Sequence, residues 1–226
     1  MHPHVVQSGI GWSQKSWFRP LKDFEADNQK LYGSSLEIGA SEHGTLAPFL
    51  LALSKNTSIG YYECDVSSLQ KKLMELNCDA ELLYVDMANI IGRYDLIIAK
   101  SVLGGLFRED ETNIEEVNDF INKIIRNNLN AEGVLLLLDN GKSFFEGALS
   151  RFGARKNKWR YFQRKDFRNP DPYKQYTFGF LSCFSFESRL GYFGRVLDNI
   201  SYFFDIFFSK FTNHPTVILT VYRKQK

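Results

Sequence analysis

The run Leu36 to Leu46, LEIGASEHGTL, constrains what this chain can fold into more than any other stretch. A short apolar strand ending in Leu36, Glu37 and Ile38 enters a turn holding Gly39 and Gly44, and a helical pattern opens at Thr45. Strand, glycine turn and helix N-terminus in one run let backbone N–H groups approach a nucleotide-like ligand. The middle glycine of the usual dinucleotide fingerprint is missing, with Ser41, Glu42 and His43 between the two that remain. By itself the run fits a ligand-binding turn and a plain βα turn equally well.

The next elements extend the pattern. Thr45 to Ser54 reads as a crossover helix, with Pro48 tolerable because it falls in the first turn. Ile59 to Cys64 reads as a second strand, and Asp65-Val-Ser-Ser opens a helix from Leu69 to Leu76. A carboxylate at the end of such a strand can accept both ribose hydroxyls of an adenosine. Asp65 and Glu63 are the alternatives for that role, and Asp65 also fits a simple helix N-cap. Ala80 to Val85 is a third strand, followed by Asp86 and Met87, and Tyr94 to Ala99 is a fourth, left by Lys100 and Ser101 at its carboxyl end. Glu115 to Leu129 is an amphipathic helix, and NAEGVLLLLDN is a glycine turn entering an all-apolar strand of the kind buried on both faces of a parallel sheet. Strands alternating with helices give a doubly wound sheet with right-handed crossovers.

This series resembles the class I S-adenosylmethionine-dependent methyltransferases. Glu37, Gly39 and Gly44 match the family's E-x-G-x-G-x-G loop, with Ser41 at the middle glycine and one extra residue. Asp65 matches a D-x-S pattern, and RYDLIIAKSVLGGL resembles the family's fourth strand, with Gly104 at the place of a usual histidine. The resemblance covers about residues 34 to 140. It implies a Rossmann-like seven-stranded sheet, mostly parallel with an antiparallel last strand and helices on both faces. It also implies S-adenosyl-L-methionine as cofactor, held by Glu37, Gly39, Ala40, Ser41, Gly44, Glu63 or Asp65, Asp86, Met87, Lys100 and Ser101.

At 226 residues the chain suits one domain. Residues 1–33 read as a lid or cap segment with a helical stretch from about Pro20 to Leu31, and with Trp12 and Trp17 as candidates for ligand contact or, more simply, for core packing; residues 34–226 read as the methyltransferase domain. A net charge of +2 makes no overall argument for nucleic acid. Three scattered cysteines without CxxC spacing argue for reduced thiols, a cytoplasmic location and no metal. No apolar run approaches the length of a membrane span.

The last third differs in character. Between Arg151 and Lys174 nine Lys or Arg stand against two Asp, interleaved with aromatics. This basic-aromatic segment, 141–174, reads as a solvated face, a binding surface for an anionic sugar or phosphate, or an RNA track. Gln175 to Phe186 reads as a strand, residues 187–211 as a Phe- and Tyr-rich helical insert, and Thr216 to Arg223 as the last strand. The insert's Tyr192, Phe193, Val196, Leu197, Ile200, Phe203 and Phe204 follow helical spacing. Beside Arg155, Lys156, Lys158 and Arg160 that face suits an anionic or lipid-linked glycan or a peripheral membrane contact, or it packs on the sheet or on a second subunit of a homodimer.

For methyl transfer, Lys100, Asp139 and His43 are the candidate catalytic residues, with Glu146 as a further candidate base; Lys100, Ser101 and Asp139 leave adjacent parallel strands at their carboxyl ends and are expected to line the cleft together. The absence of an (N/D)-P-P-(Y/F) motif disfavours DNA adenine methylation. The expected function is O-methylation of a sugar or other small acceptor, resembling small bacterial methyltransferases of polysaccharide and glycan pathways. The alternatives are a non-catalytic scaffold, which the altered glycine loop favours, and an RNA methyltransferase.

Overall fold

The computed structural model describes residues 6–7, 14–41, 44–86, 89–143, 159–180 and 187–225. Seven strands form one sheet: β1 (Tyr32–Ala40), β2 (Ser54–Tyr61), β3 (Glu81–Tyr84), β4 (Tyr94–Lys100), β5 (Leu129–Asn140), β6 (Lys174–Phe178) and β7 (Val217–Arg223). Their order across the sheet is β3-β2-β1-β4-β5-β7-β6. The first five pair in parallel, and β7 runs antiparallel to both neighbours. This is the expected architecture.

The period of two along each central strand feeds two separate cores. Leu96, Ile98, Val134, Leu136 and Leu138 face one layer, where α1 (Gln14–Asp27), α2 (Ala47–Leu53) and α3 (Val66–Glu75) pack. Ile97, Ala99, Leu135 and Leu137 face the other, with the short helix α4 (Leu103–Leu106) and with α5 (Ile114–Asn128). On α5, Val117, Ile121 and Ile124 fall on one stripe and are buried; each contributes about 1.5–3 kcal/mol by leaving water. Asn113 and Glu116 close a capping box at the start of α5. At the amino edge Asp95 accepts from the Ser34 amide at 3.0 Å and from Asn130 Nδ2 at 2.9 Å, tying β4 to β1 and β5. Between β6 and β7 lies α6 (Glu187–Phe208), interrupted at Gly191, whose φ is 54°.

Three boundaries differ from the sequence expectation. α1 begins at Gln14, ahead of Pro20, which lies inside it. Trp17, Leu21 and Phe24, each 1 % exposed, recur at helical spacing, and their burial outweighs a proline cost of about 3 kcal/mol. β2 occupies Ser54–Tyr61, not Ile59 to Cys64, because polar Ser54 to Ser58 pair in register beside β1. Glu63 and Asp65 therefore lie in the connection to α3. β6 closes at Phe178, earlier than the expected Phe186.

Candidate functional site

The chain steps from β1 outward to β2 and β3, then returns across β1 to β4. The crevice opened by that reversal lies at the carboxyl ends of β1 and β4, with the end of β2 alongside. A left-handed residue stands at or just past each of these strand ends: Gly39 (φ 80°), at a register shift before the last residue of β1, Glu63 (φ 47°) and Ser101 (φ 54°). Glycine takes that conformation freely, whereas Glu and Ser are strained in it, and such strain concentrates at functional sites.

Glu37 shapes the glycine turn from beneath. Its carboxylate, 2 % exposed, accepts from Thr45 Oγ1 at 2.7 Å and from the Leu46 amide at 2.8 and 2.9 Å. Thr45 Oγ1 in turn accepts from the Ala47 amide at 3.1 Å, so one buried acid fixes the entry to α2. Burial pushes the Glu37 carboxyl up to about 7, opposed by the bonds from Thr45 and Leu46 and by the Lys100 charge. The turn itself is closed by reciprocal backbone bonds between Ser41 and Gly44 at 3.1 and 3.0 Å. Val6–Gln7 pairs antiparallel with Gly44–Thr45, laying the prefix against this turn. Ala40 is buried under it.

Lys100 lies on the same side of the sheet as Glu37, with Nζ 5.9 Å from the centroid of the Trp17 ring. Burial lowers its pKa and Glu37 opposes the shift. Trp17 is in the core, so the packing alternative describes it. Ser101 leaves β4 with its amide bonded to the Leu138 carbonyl at 2.8 Å.

Of the two acids offered for the ribose, only Glu63 is disengaged from helix capping. Asp65 accepts from the Ser67 and Ser68 amides at 3.0 and 3.3 Å and from Ser68 Oγ at 2.7 Å, as the N-cap of α3. The bonds from Ser68 and Ser67 hold its carboxyl below the ordinary range. Glu63 is exposed beside Tyr62, whose hydroxyl it raises in pKa through a hydrogen bond and its charge. Tyr62 meets Tyr84, at the end of β3, with ring centroids 6.0 Å apart, and Tyr84 also meets Tyr61 at 5.9 Å. Asp86 is exposed next to this group. The sequence reading missed Tyr62 and Tyr84. The doubled tyrosine of IGYYEC was its signal, since adjacent strand residues point to opposite faces and one of the pair has to leave the core.

Asp139 departs from the expectation that it lines the cleft beside Lys100 and Ser101. It is 0 % exposed, because its odd position on β5 points it into the layer of α4 rather than the layer of Glu37 and Lys100. Burial pushes its carboxyl up to about 7, opposed by the amides of Gly104 and Leu103, yet neither oxygen meets a donor at hydrogen-bond geometry. Gly104 is small for a reason: a Cβ there would lie 2.1 Å from Trp159 Nε1 and 2.6 Å from the Arg160 carbonyl. Trp159 thus takes the space beside α4. Arg160 Nε donates to the Phe107 carbonyl at 2.9 Å, and its Nη2 donates to the Thr112 carbonyl, so its guanidinium is tied to the backbone after α4. His43, Met87, Trp12, Glu146, Arg155, Lys156 and Lys158 lie outside the described residues.

Among the described residues no cluster of His, Cys, Asp or Glu could hold a metal ion, and no helix is long and apolar enough to cross a membrane. No family model matches the chain, and no curated protein does. Solved structures do match. Coclaurine N-methyltransferase bound to N-methylheliamine and S-adenosylhomocysteine aligns with a TM-score of 0.59 at 12% identity, over 96% of this chain and 77% of that one. The N-methyltransferase NodS from Bradyrhizobium japonicum WM9, with S-adenosylhomocysteine, gives 0.56 at 11% identity over 94% and 87%. Magnesium protoporphyrin IX methyltransferase from Synechocystis PCC 6803, also with S-adenosylhomocysteine, gives 0.55 at 16% identity over 72% and 75%. At these identities the likeness is one of fold: the chain has the Rossmann-like fold of these methyltransferases.

Proposed function

We propose that this fold serves an S-adenosylmethionine-dependent methyltransferase acting on a small-molecule or glycan acceptor, with a sugar hydroxyl as the favoured target. The observation that carries the reading is the set of left-handed residues, Gly39, Glu63 and Ser101, at or just past the ends of the three strands at the switch point. The residues fit the cofactor. Backbone groups of Gly39 to Ser41 and Gly44 would face its methionine part, Glu63 its ribose, and Asp86 with the Tyr62 and Tyr84 rings its adenine. Bound there, the sulfonium supplies an activated methyl group. The chain's own part is alignment: Glu37 fixes the glycine turn, while Lys100 and Ser101 hold the end of β4 where acceptor and cofactor would meet. The prefix, paired to the turn, fits a lid over it. Asp139, enclosed beneath α4, fits a positioning residue better than a base, which must reach the acceptor proton.

Titration calorimetry with S-adenosylhomocysteine tests this reading. A saturable heat supports it, and none would leave the scaffold alternative, which the closed Ser41–Gly44 turn favours. Two of the aligned structures are N-methyltransferases, so an acceptor screen should include amines as well as sugars.

A further inference from the structure

α6 is built inside out for a helix that covers a sheet. At roughly 100° per residue, the side chains it buries between Gly191 and Phe211 form one narrow stripe of Gly194, Asp198, Asp205 and Ser209. That stripe is small and polar, and it is anchored to the body. Ser209 Oγ accepts from the Gly179 amide at 3.0 Å, Asn199 accepts from Lys15 of α1, and Tyr202 meets Phe178 at 5.3 Å. The opposite face is aromatic. Tyr192, Phe193, Phe203, Phe204, Phe207 and Phe211 are between 45% and 84% exposed. The sequence alternative in which this face packs on the sheet does not hold, because the polar stripe occupies that position.

We propose that this face of α6 docks on an anionic lipid surface. Its exposed rings amount to on the order of 800 Å², above the roughly 300–600 Å² of the largest patch on an ordinary monomer. The charges fit the same occupant. Both carboxylates between Gly191 and Phe211 are turned inward, Asp198 at 9% and Asp205 at 0% exposure, while Arg195 and Lys210 are exposed. By helical spacing these two cations stand about 60° apart, both on one border of the aromatic ridge, with Lys15 of α1 beside them at Asn199. An aromatic ridge edged by basic residues, with no exposed acid between Gly191 and Phe211, is the pattern of a helix lying in a lipid interface, rings in the acyl boundary and cations at the headgroups. A second copy of the chain is the poorer occupant, because every exposed charge on this face would meet charges of its own sign. Both ends of α6 join the sheet at its carboxyl edge, so docking would bring the crevice close to molecules carried in the membrane. The proposal stands apart from the methyltransferase reading, since it uses none of the crevice residues.

Co-sedimentation of the full chain with phosphatidylglycerol-rich vesicles, and with phosphatidylcholine vesicles alone, tests it. Binding to the anionic vesicles at least about tenfold tighter, weakening with salt, is expected. Phe203→Ser with Phe207→Ser should lower that affinity by about tenfold or more, and Arg195→Glu with Lys210→Glu should remove the preference for anionic lipid. Thermal melts report whether these variants fold; if either pair is impaired, the wild-type preference and its salt dependence still decide. Failure to sediment with either vesicle would overturn the proposal. So would a concentration-dependent dimer, seen by sedimentation velocity, that the Phe203→Ser, Phe207→Ser pair dissolves.

Discussion

Polar side chains turn inward both at the crevice and along α6, but with opposite consequences for the surface. In the first half of the chain, buried acids organise backbone. Glu37 holds the exit of the glycine turn, and the strand ends above it are left with glycine, small and polar residues. In α6 the inward acids Asp198 and Asp205 displace aromatics to the outside. The first arrangement makes a crevice whose shape is set within the chain; the second makes a surface whose apolar face is left uncovered by the chain itself. Burial of a charged group thus marks a formed site in one region and an outward-facing surface in the other.

The crevice side of the contrast breaks most sharply at Gly39. A β-branched residue cannot adopt a φ of 80° without strain, and its side chain would stand in the turn. Gly39→Val should weaken S-adenosylhomocysteine binding by more than about 100-fold, a loss of about 2.7 kcal/mol, while far-UV circular dichroism and α6-dependent vesicle binding stay as in the wild type. Unchanged affinity would remove the turn from the site.

The next effect is on stability. Glu37 and Asp139 are both raised by burial to about 7 from ordinary values of 4.5 and 3.8. Between roughly pH 4 and 7 the folded chain keeps protons that the unfolded chain releases, so stability is greatest below that window and falls as pH rises through it. On this scale Glu37 contributes about 3 kcal/mol to the change and Asp139 about 4 kcal/mol. The Tm of the unliganded protein should therefore drop from pH 5 to pH 7.5, and Glu37→Gln or Asp139→Asn should each flatten the slope. A Tm that climbs over this range would contradict the buried placement of both acids.

Arg160 comes third. Removing its hydrogen bonds to the loop between α4 and α5 with Arg160→Met should cost about 1.5–3 kcal/mol and leave S-adenosylhomocysteine affinity intact. A large affinity loss without a lower Tm would return it to the binding surface. The finest distinction is between two neighbouring acids. Glu63→Ala should weaken cofactor binding by about tenfold, whereas Asp65→Ala should lower Tm slightly and leave binding alone. The reverse pattern would make Asp65 the ribose ligand despite its cap to Ser67 and Ser68.

These residues also mark how far the sequence alone reaches. The alternation of strands and helices was legible because the apolar runs of β4 and β5 and the glycine turn after β1 carry local signals, while the antiparallel last strand was what the methyltransferase resemblance implied. The start of β2 was not, since Ser54 to Ser58 are polar and become a strand only by pairing with β1. The turn after β1 was legible where backbone conformation demanded a residue type, as at Gly39. The site was illegible where burial decided the role: Asp139 looks like a strand-end acid in sequence, and only its side-chain direction places it under α4. Arg160 belongs to a basic run by composition, yet its partners are carbonyls about 50 positions earlier in the chain.

Hydrogen exchange with and without S-adenosylhomocysteine tests the central claim most directly, because it reads the crevice and α6 in one experiment. Slower exchange is expected at the ends of β1, β2 and β4, around Gly39, Glu63 and Ser101, with α6 unchanged. Protection confined to α6, or absent from all three strand ends, would contradict the account.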